Sequence, residues 1–288
     1  MNKIKFIGAC SDLGCTVDGA DKGPKEMLKD FENVEIIDKP SIIKSKDPKD
    51  LRKNLDSVNE FNTKLFNIVK RTIEDDMFPI TIGGDHSIAI GSALASQSIH
   101  NNLGIIWIDA HLDYNTFETT ITGNLHGLPL AAINGICKDL TPFTSNFINP
   151  KNTVVVGYRA KEENASLEQD NIKKMGVTVF DDEYIKENSI ESTIKEAIRI
   201  ASLNTDGIHI SFDLDAINPI YCPGVSVPEL DGLNTFDAYK ALDIIIDNFD
   251  EVKSFDLVEY NPINDINFKT KNIALSIVNK LKNKLKDK

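Results

Sequence analysis

The sequence predicts an α/β fold: one three-layer domain over residues 1–288, with a mainly parallel eight-stranded sheet and helices on both faces. Three observations carry this. Eight short, nearly continuous apolar runs recur along the chain, as expected of strands buried on both faces. Amphipathic stretches with helical spacing lie between most of them, and βα alternation of this kind makes a parallel sheet. No Pro/Gly/Ser-rich linker, low-complexity tract or internal repeat divides the 288 residues, a length ordinary for one large α/β domain.

The predicted strands, in order, are Ile4–Gly8, Val34–Ile37, Pro79–Ile82, Gly104–Ile108, Thr153–Gly157, Val177–Phe180, Ile208–Phe212 and Val252–Val258. The longest helical pattern is Leu51–Asp76, where Leu55, Val58, Phe61, Leu65, Ile68 and Val69 repeat at helical spacing. Others fall near Ser87–Gln97, Glu163–Lys174, Ser189–Ser202, Thr235–Asn248 and Asn272–Lys286. The Lys-rich end, Lys280–Lys288, reads as the last turns of a surface helix.

Composition narrows the function classes. The formal net charge of −12 argues against nucleic-acid binding, which needs clustered Lys and Arg; it reads as a solvated acidic surface that also suits a cationic substrate. No apolar run reaches the length of a membrane span, and the N-terminal residues show no signal-peptide pattern. Cys10, Cys15, Cys137 and Cys222 form no CxxC pair and read as free thiols, which fits a cytoplasmic location.

In parallel sheets ligands bind beyond the carboxyl ends of the strands, and the polar clusters of this chain sit there. Gly83-Gly84-Asp85-His86-Ser87 follows one strand, Asp109-Ala110-His111-Leu112-Asp113 another, and Asp213-Leu214-Asp215 a third. If the chain stays extended, the period of two points Asp109, His111 and Asp113 the same way, and likewise Asp213 and Asp215. Four carboxylates in one place repel and raise one another's pKa, and divalent cations are the usual remedy. Carboxylate-rich ligation favours a hard ion such as Mn²⁺. His86, Asp109, His111, Asp113, Asp213 and Asp215 exceed the need of one four-coordinate ion, and two ions with bridging carboxylates account better for the number. A lone D-x-D or D-x-H at a strand end is ordinary turn chemistry; three together point to a site. Asp85 and Ser87 read as caps, His100 as a surface-loop residue and His209 as a packed core histidine.

The segments 83–87, Asp-Ala-His-Leu-Asp-Tyr-Asn at 109–115 and Ser-Phe-Asp-Leu-Asp at 211–215 resemble the three signatures of the ureohydrolase family: arginase, agmatinase and formimidoylglutamase. The resemblance runs from Lys22-Gly23-Pro24 to Glu259-Tyr260-Asn261-Pro262. It implies two Mn²⁺ ions per subunit, one held by His86, Asp109, Asp113 and Asp213, the other by Asp109, His111, Asp213 and Asp215. It also implies a homo-oligomer, trimer or hexamer. Two metals sharing a water lower its pKa and position it as hydroxide. Glu259 resembles the family glutamate that pairs with the guanidinium. His126 is suited to shuttle a proton to the leaving amine.

The run from Asn115 through Thr122, Asn124 and His126 looks like the arginase version of its loop, with Asn115 and Thr122 where the substrate carboxylate binds. This favours L-arginine, hydrolysed to ornithine and urea. Two departures keep agmatine and formimidoylglutamate open. Arg159 is followed by Ala160-Lys161-Glu162, so Glu162 is the nearest match to the acid that meets the α-amino group. Val227 stands where arginases and agmatinases place Thr, in a Pro-Gly-Val-Ser-x-Pro pattern that looks like formimidoylglutamases. Outside alternatives are a single-zinc deacetylase, disfavoured by the absence of a His-His pair, and a non-catalytic metal-binding relative.

Overall fold

The computed structural model describes residues 3–160 and 165–286. They form one domain around an eight-stranded sheet in the order β2-β1-β3-β8-β7-β4-β5-β6. The strands are β1 (Lys3–Cys10), β2 (Val34–Asp38), β3 (Met77–Gly83), β4 (Leu103–Ile108), β5 (Thr153–Tyr158), β6 (Thr178–Asp181), β7 (Gly207–Asp213) and β8 (Val252–Val258). All the pairings are parallel, so the sheet is wholly rather than mainly parallel. Each predicted strand is present, within a few residues of its expected ends.

The helices are α1 (Gly23–Leu28), α2 (Leu55–Glu74), α3 (Ala89–His100), α4 (Pro129–Ile133), α5 (Ala165–Met175), α6 (Asp182–Ala201), α7 (Thr235–Asp247) and α8 (Lys269–Lys286). They cover both faces. Met27 and Leu28 of α1 join α6, α7 and α8 over one face, packing on Ile106, Ile108, Ile210 and Phe212. The other face is covered by α2, α3, α4 and Ile172 of α5, packing on Ile105, Trp107 and Val155. Strand residues alternate between the two cores, as a pleat requires.

Several expectations are corrected. α1 and α4 are too short for a periodic signal, and each starts with a Pro in its first turn. α6 begins at Asp182 rather than Ser189, because the Asp181 side chain caps it by accepting the Tyr184 N–H at 2.8 Å. Ser189, expected as a helix start, is a kink inside it with φ +66°. His100 is the last residue of α3, half-buried, not a loop residue. His209 is the packed core histidine expected: it is fully buried, Nδ1 at 2.7 Å from Ser254 Oγ and Nε2 at 3.1 Å from Asp256.

The sheet order positions the site. The chain builds β1, β2 and β3 on one side, then crosses to β4, leaving room for β7 and β8 between them. The carboxyl ends of β3, β8, β7 and β4 therefore stand side by side at the point where the winding reverses, where a crevice opens in such sheets.

Candidate metal centre and active site

Local turn chemistry aims each side chain. After β3, Asp85 Oδ1 accepts the Ser87 N–H at 2.9 Å, capping the short 3-10 turn His86–Ile88 as expected. Its Oδ2 accepts the Gly14 N–H at 2.8 Å. Gly84 leaves no room for a side chain: a Cβ there would lie 1.7 Å from the Ser11 carbonyl oxygen. After β4 and β7 the same Asx turn recurs. Asp109 Oδ1 accepts the His111 N–H at 2.7 Å, and Asp213 Oδ1 accepts the Asp215 N–H at 2.8 Å.

The expectation of an extended 109–113 segment is wrong in detail. The strand ends at Ile108, and Asp113 sits at φ +50°. Turns, not strand pleat, bring these residues together.

One buried cluster results. His86 Nδ1 lies 2.9 Å from Asp109 Oδ2, 3.0 Å from Asp213 Oδ2 and 3.4 Å from Asp113 Oδ2. His111 Nδ1 lies 3.1 Å from Asp215 Oδ2 and 3.4 Å from Asp109 Oδ1. Two donor sets of metal-binding geometry follow, His86-Asp109-Asp113 and Asp109-His111-Asp215, sharing Asp109. Although buried among three carboxylates, His86 Nδ1 makes no hydrogen bond. A cation drawing on both kinds of donor fits that arrangement.

The groups behind the cluster also suit metal ligation. His86 Nε2 is 2.8 Å from Ser211 Oγ, which leaves Nδ1 to face the carboxylates. Its ring stacks on Trp107 with centroids 3.8 Å apart and planes 6° apart. Trp107 Nε1 donates to Asp109 Oδ2 at 2.8 Å.

Electrostatics point the same way. Burial, then the Asp109 carboxylate, holds Asp113 well above the ordinary carboxylate range. Burial, then Asp215 and Asp109, does the same to Asp213. Asp109 moves down: burial pushes its pKa up, but the imidazoles of His111 and His86 beside it outweigh that. Carboxylates crowded in this way are suited to bind positive charge.

A second buried pair faces the same pocket. Glu259, at φ +66° just past β8, accepts the His86 N–H through Oε1 at 3.0 Å. The same oxygen is 3.1 Å from His126 Nδ1, while Oε2 is buried without a hydrogen-bond partner. Burial disfavours the imidazolium of His126, but Cys15 and Glu259 overcome it and raise its pKa well above the usual value. His126 follows Asn124 in a 3-10 turn, with its N–H donated to the Gly14 carbonyl at 3.2 Å.

The pocket brings together His86, His111, Asp113, Asp213, Asp215, His126 and Glu259 with Asn115, Thr122 and Asn124. Its cavity is about 140 Å³, enough for a small, extended substrate. Val227 lines it too. Glu162 lies outside the described residues.

Two acids escaped the sequence reading. Glu168 of α5 is buried in the pocket wall and accepts the Tyr114 N–H at 2.8 Å. Glu229 stands 3.7 Å from His111 Nε2. Neither is in a motif, and only the fold reveals their position.

A wholly parallel α/β sheet that gathers buried His and Asp side chains at its switch point fits the class of metal-dependent hydrolases. Residues 2–282 match the arginase family as a whole. The arginase of Staphylococcus aureus (strain COL) is 38% identical, with 96% of this chain and 95% of that protein aligned. The solved arginase of Bacillus caldovelox superposes with a TM-score of 0.88 at 33% identity, covering 96% of this chain and 97% of that one. The arginase of Entamoeba histolytica, solved in complex with L-ornithine, gives 0.88 at 29% identity over 96% and 98%. The chain belongs to the arginase family, hydrolases that act on guanidino substrates.

Proposed function

We propose that this protein hydrolyses L-arginine to L-ornithine and urea, using two Mn²⁺ ions per subunit. One observation carries the reading: two His/Asp donor sets share Asp109 and open on the same pocket as the buried His126–Glu259 pair. His86, Asp109, Asp113 and Asp213 would hold one ion, and Asp109, His111, Asp213 and Asp215 the other. When bound, the ions supply an acidified water as nucleophile and offset the crowded carboxylates.

The chain's own residues do the rest. Glu259 Oε1 is occupied by His86 and His126, which leaves the unpartnered Oε2 to accept N–H bonds from a planar cation. A guanidinium offers those donors, and the pairing holds its carbon in register with the donor cluster. His126, kept protonated by its neighbours, holds the proton that the leaving nitrogen needs. Asn115, Thr122 and Asn124 line the pocket and would meet the α-carboxylate of arginine. Glu162 remains assigned to the α-amino group.

The arginase relatives support arginine over agmatine, as does the solved ornithine complex of one of them. The reading includes a cytoplasmic homo-oligomer; the four cysteines are free and buried, which suits a reducing compartment.

The deciding experiment is urea and ornithine release by Mn²⁺-loaded protein, with arginine and agmatine side by side. Arginine is the expected substrate. Faster turnover of agmatine would reassign the tail site, and no metal-dependent release from either would overturn the reading.

A further inference from the structure

Between β2 and α2 the chain runs through residues 39–54 without strand or α-helix. Two of its lysines point inward. The Lys44 side chain is 7% exposed. Its Nζ donates to the carbonyl oxygens of Asp12 (2.9 Å), Cys15 (3.0 Å) and Val17 (3.3 Å). It also meets the carboxylates of Asp12 (3.2 Å) and Asp18 (2.9 Å). An ammonium carries three protons, so these oxygens share them, and the chain from Asp12 to Asp18 curls around one cation. Lys53 is buried, and its Nζ donates to the Asp50 carbonyl at 2.9 Å and to the Thr122 carbonyl.

Neither lysine lines the pocket, yet burying an ammonium is costly without such partners. What the two bind are the loops that make one pocket wall. The first loop offers the Gly14 carbonyl to the His126 N–H at 3.2 Å and Thr16 Oγ1 to Asn124 Nδ2 at 3.4 Å. The second carries Thr122 itself. It sits directly on the 39–54 segment: Gly123 has φ +67°, and a Cβ there would lie 2.1 Å from the Asp50 carbonyl oxygen. Asn54 adds a third tie, donating to the Leu13 carbonyl at 2.9 Å.

We propose that Lys44 and Lys53 are positioning residues, and that segment 39–54 is a brace whose two buried ammonium groups fix where His126 and Asn124 stand. This rests on the proposed role of His126. Lys44 acts through the Gly14 carbonyl on the proton-bearing residue, so its loss slows turnover. Lys53 acts through Thr122 on the wall that meets the substrate tail, so its loss weakens binding.

The test is steady-state kinetics on arginine together with amide hydrogen exchange of residues 122–127, in Lys44→Met and Lys53→Met. Misplacing a reacting group by about 1 Å costs up to about 100-fold. Lys44→Met should therefore lose about 10- to 100-fold in kcat with little change in KM. Lys53→Met should raise KM more than it lowers kcat, and exchange at 122–127 should quicken in both. Unchanged kinetics and exchange would overturn the brace. So would losses that only track folded protein and bound manganese. If Lys44→Met does not fold, Lys44→Gln is read by the same criteria. If the wild type hydrolyses neither arginine nor agmatine, the functional reading fails, and exchange alone then decides the brace.

Discussion

His126 and Glu259 show how much a few ångströms decide at the scale of single residues. In sequence His126 is one of five histidines, and a loop His is as readily a helix cap as an acid. In the fold its ring nitrogen is 3.1 Å from a buried carboxylate that also orients His86. Replacing it by Asn should lower kcat on arginine by about 10²- to 10⁴-fold, with KM nearly unchanged. A rise in KM at constant kcat would mark it as a binding group. Asp12 sets a pH dependence. Burial raises its pKa, but the hydrogen bond from Lys39 and the Gly19 N–H bring it below the ordinary value. A carboxyl whose folded pKa lies below its unfolded one contributes stability that is present above the unfolded pKa and disappears as pH falls through the folded one. Asp12→Asn should therefore cost about 3 kcal/mol near neutrality, as a broken buried pair does. The gap from wild type should narrow as pH falls below the ordinary carboxylate range, as chemical denaturation across pH would reveal; a gap constant with pH would refute the assignment.

At the scale of elements, the strand ends are where sequence and structure part. The eight strands were legible because apolar runs buried on both faces need no partner to be recognised. The turn after β3 was partly legible in the cap at Asp85, but the course of the chain from Asp109 to Asp113 was not, since it depends on backbone angles such as the φ +50° of Asp113. The close approach of the β1 and β3 ends is equally hidden. Gly84 fits only because it lacks a Cβ, which would otherwise collide with the Ser11 carbonyl. Gly84→Ala forces the backbone apart at the base of the His86 turn. It should cost about 1–3 kcal/mol in thermal or denaturant unfolding and weaken metal binding in a manganese titration. Wild-type values for both would show that the strand ends have slack.

The whole molecule is a scaffold that holds mutually repelling carboxylates in a buried cluster at one pocket. Burial and neighbouring acids hold Asp113 and Asp213 high, so the cluster would gain from bound cations. Metal binding at this cluster would therefore be linked to folding. Chelation should lower Tm and Mn²⁺ should restore it. Occupancy at about 100 times Kd is worth about 2.7 kcal/mol per site. A Tm indifferent to chelator and to manganese would argue that the cluster holds no ion.

Fold class, strands and the His and Asp residues that crowd at the strand ends could be read along the chain, because these rest on local periodicity and on residue type. Which strand ends adjoin follows from the folded sheet order alone. β8, last in the chain, inserts between β3 and β7 and sets Glu259 against His86 across 173 residues of sequence. The tertiary structure alone placed Glu168 and Glu229 at the site and turned Lys44 and Lys53 beneath its wall. Contacts between distant segments depend on sheet order and on the close packing of whole elements, and neither leaves a periodic trace in the residues that make them.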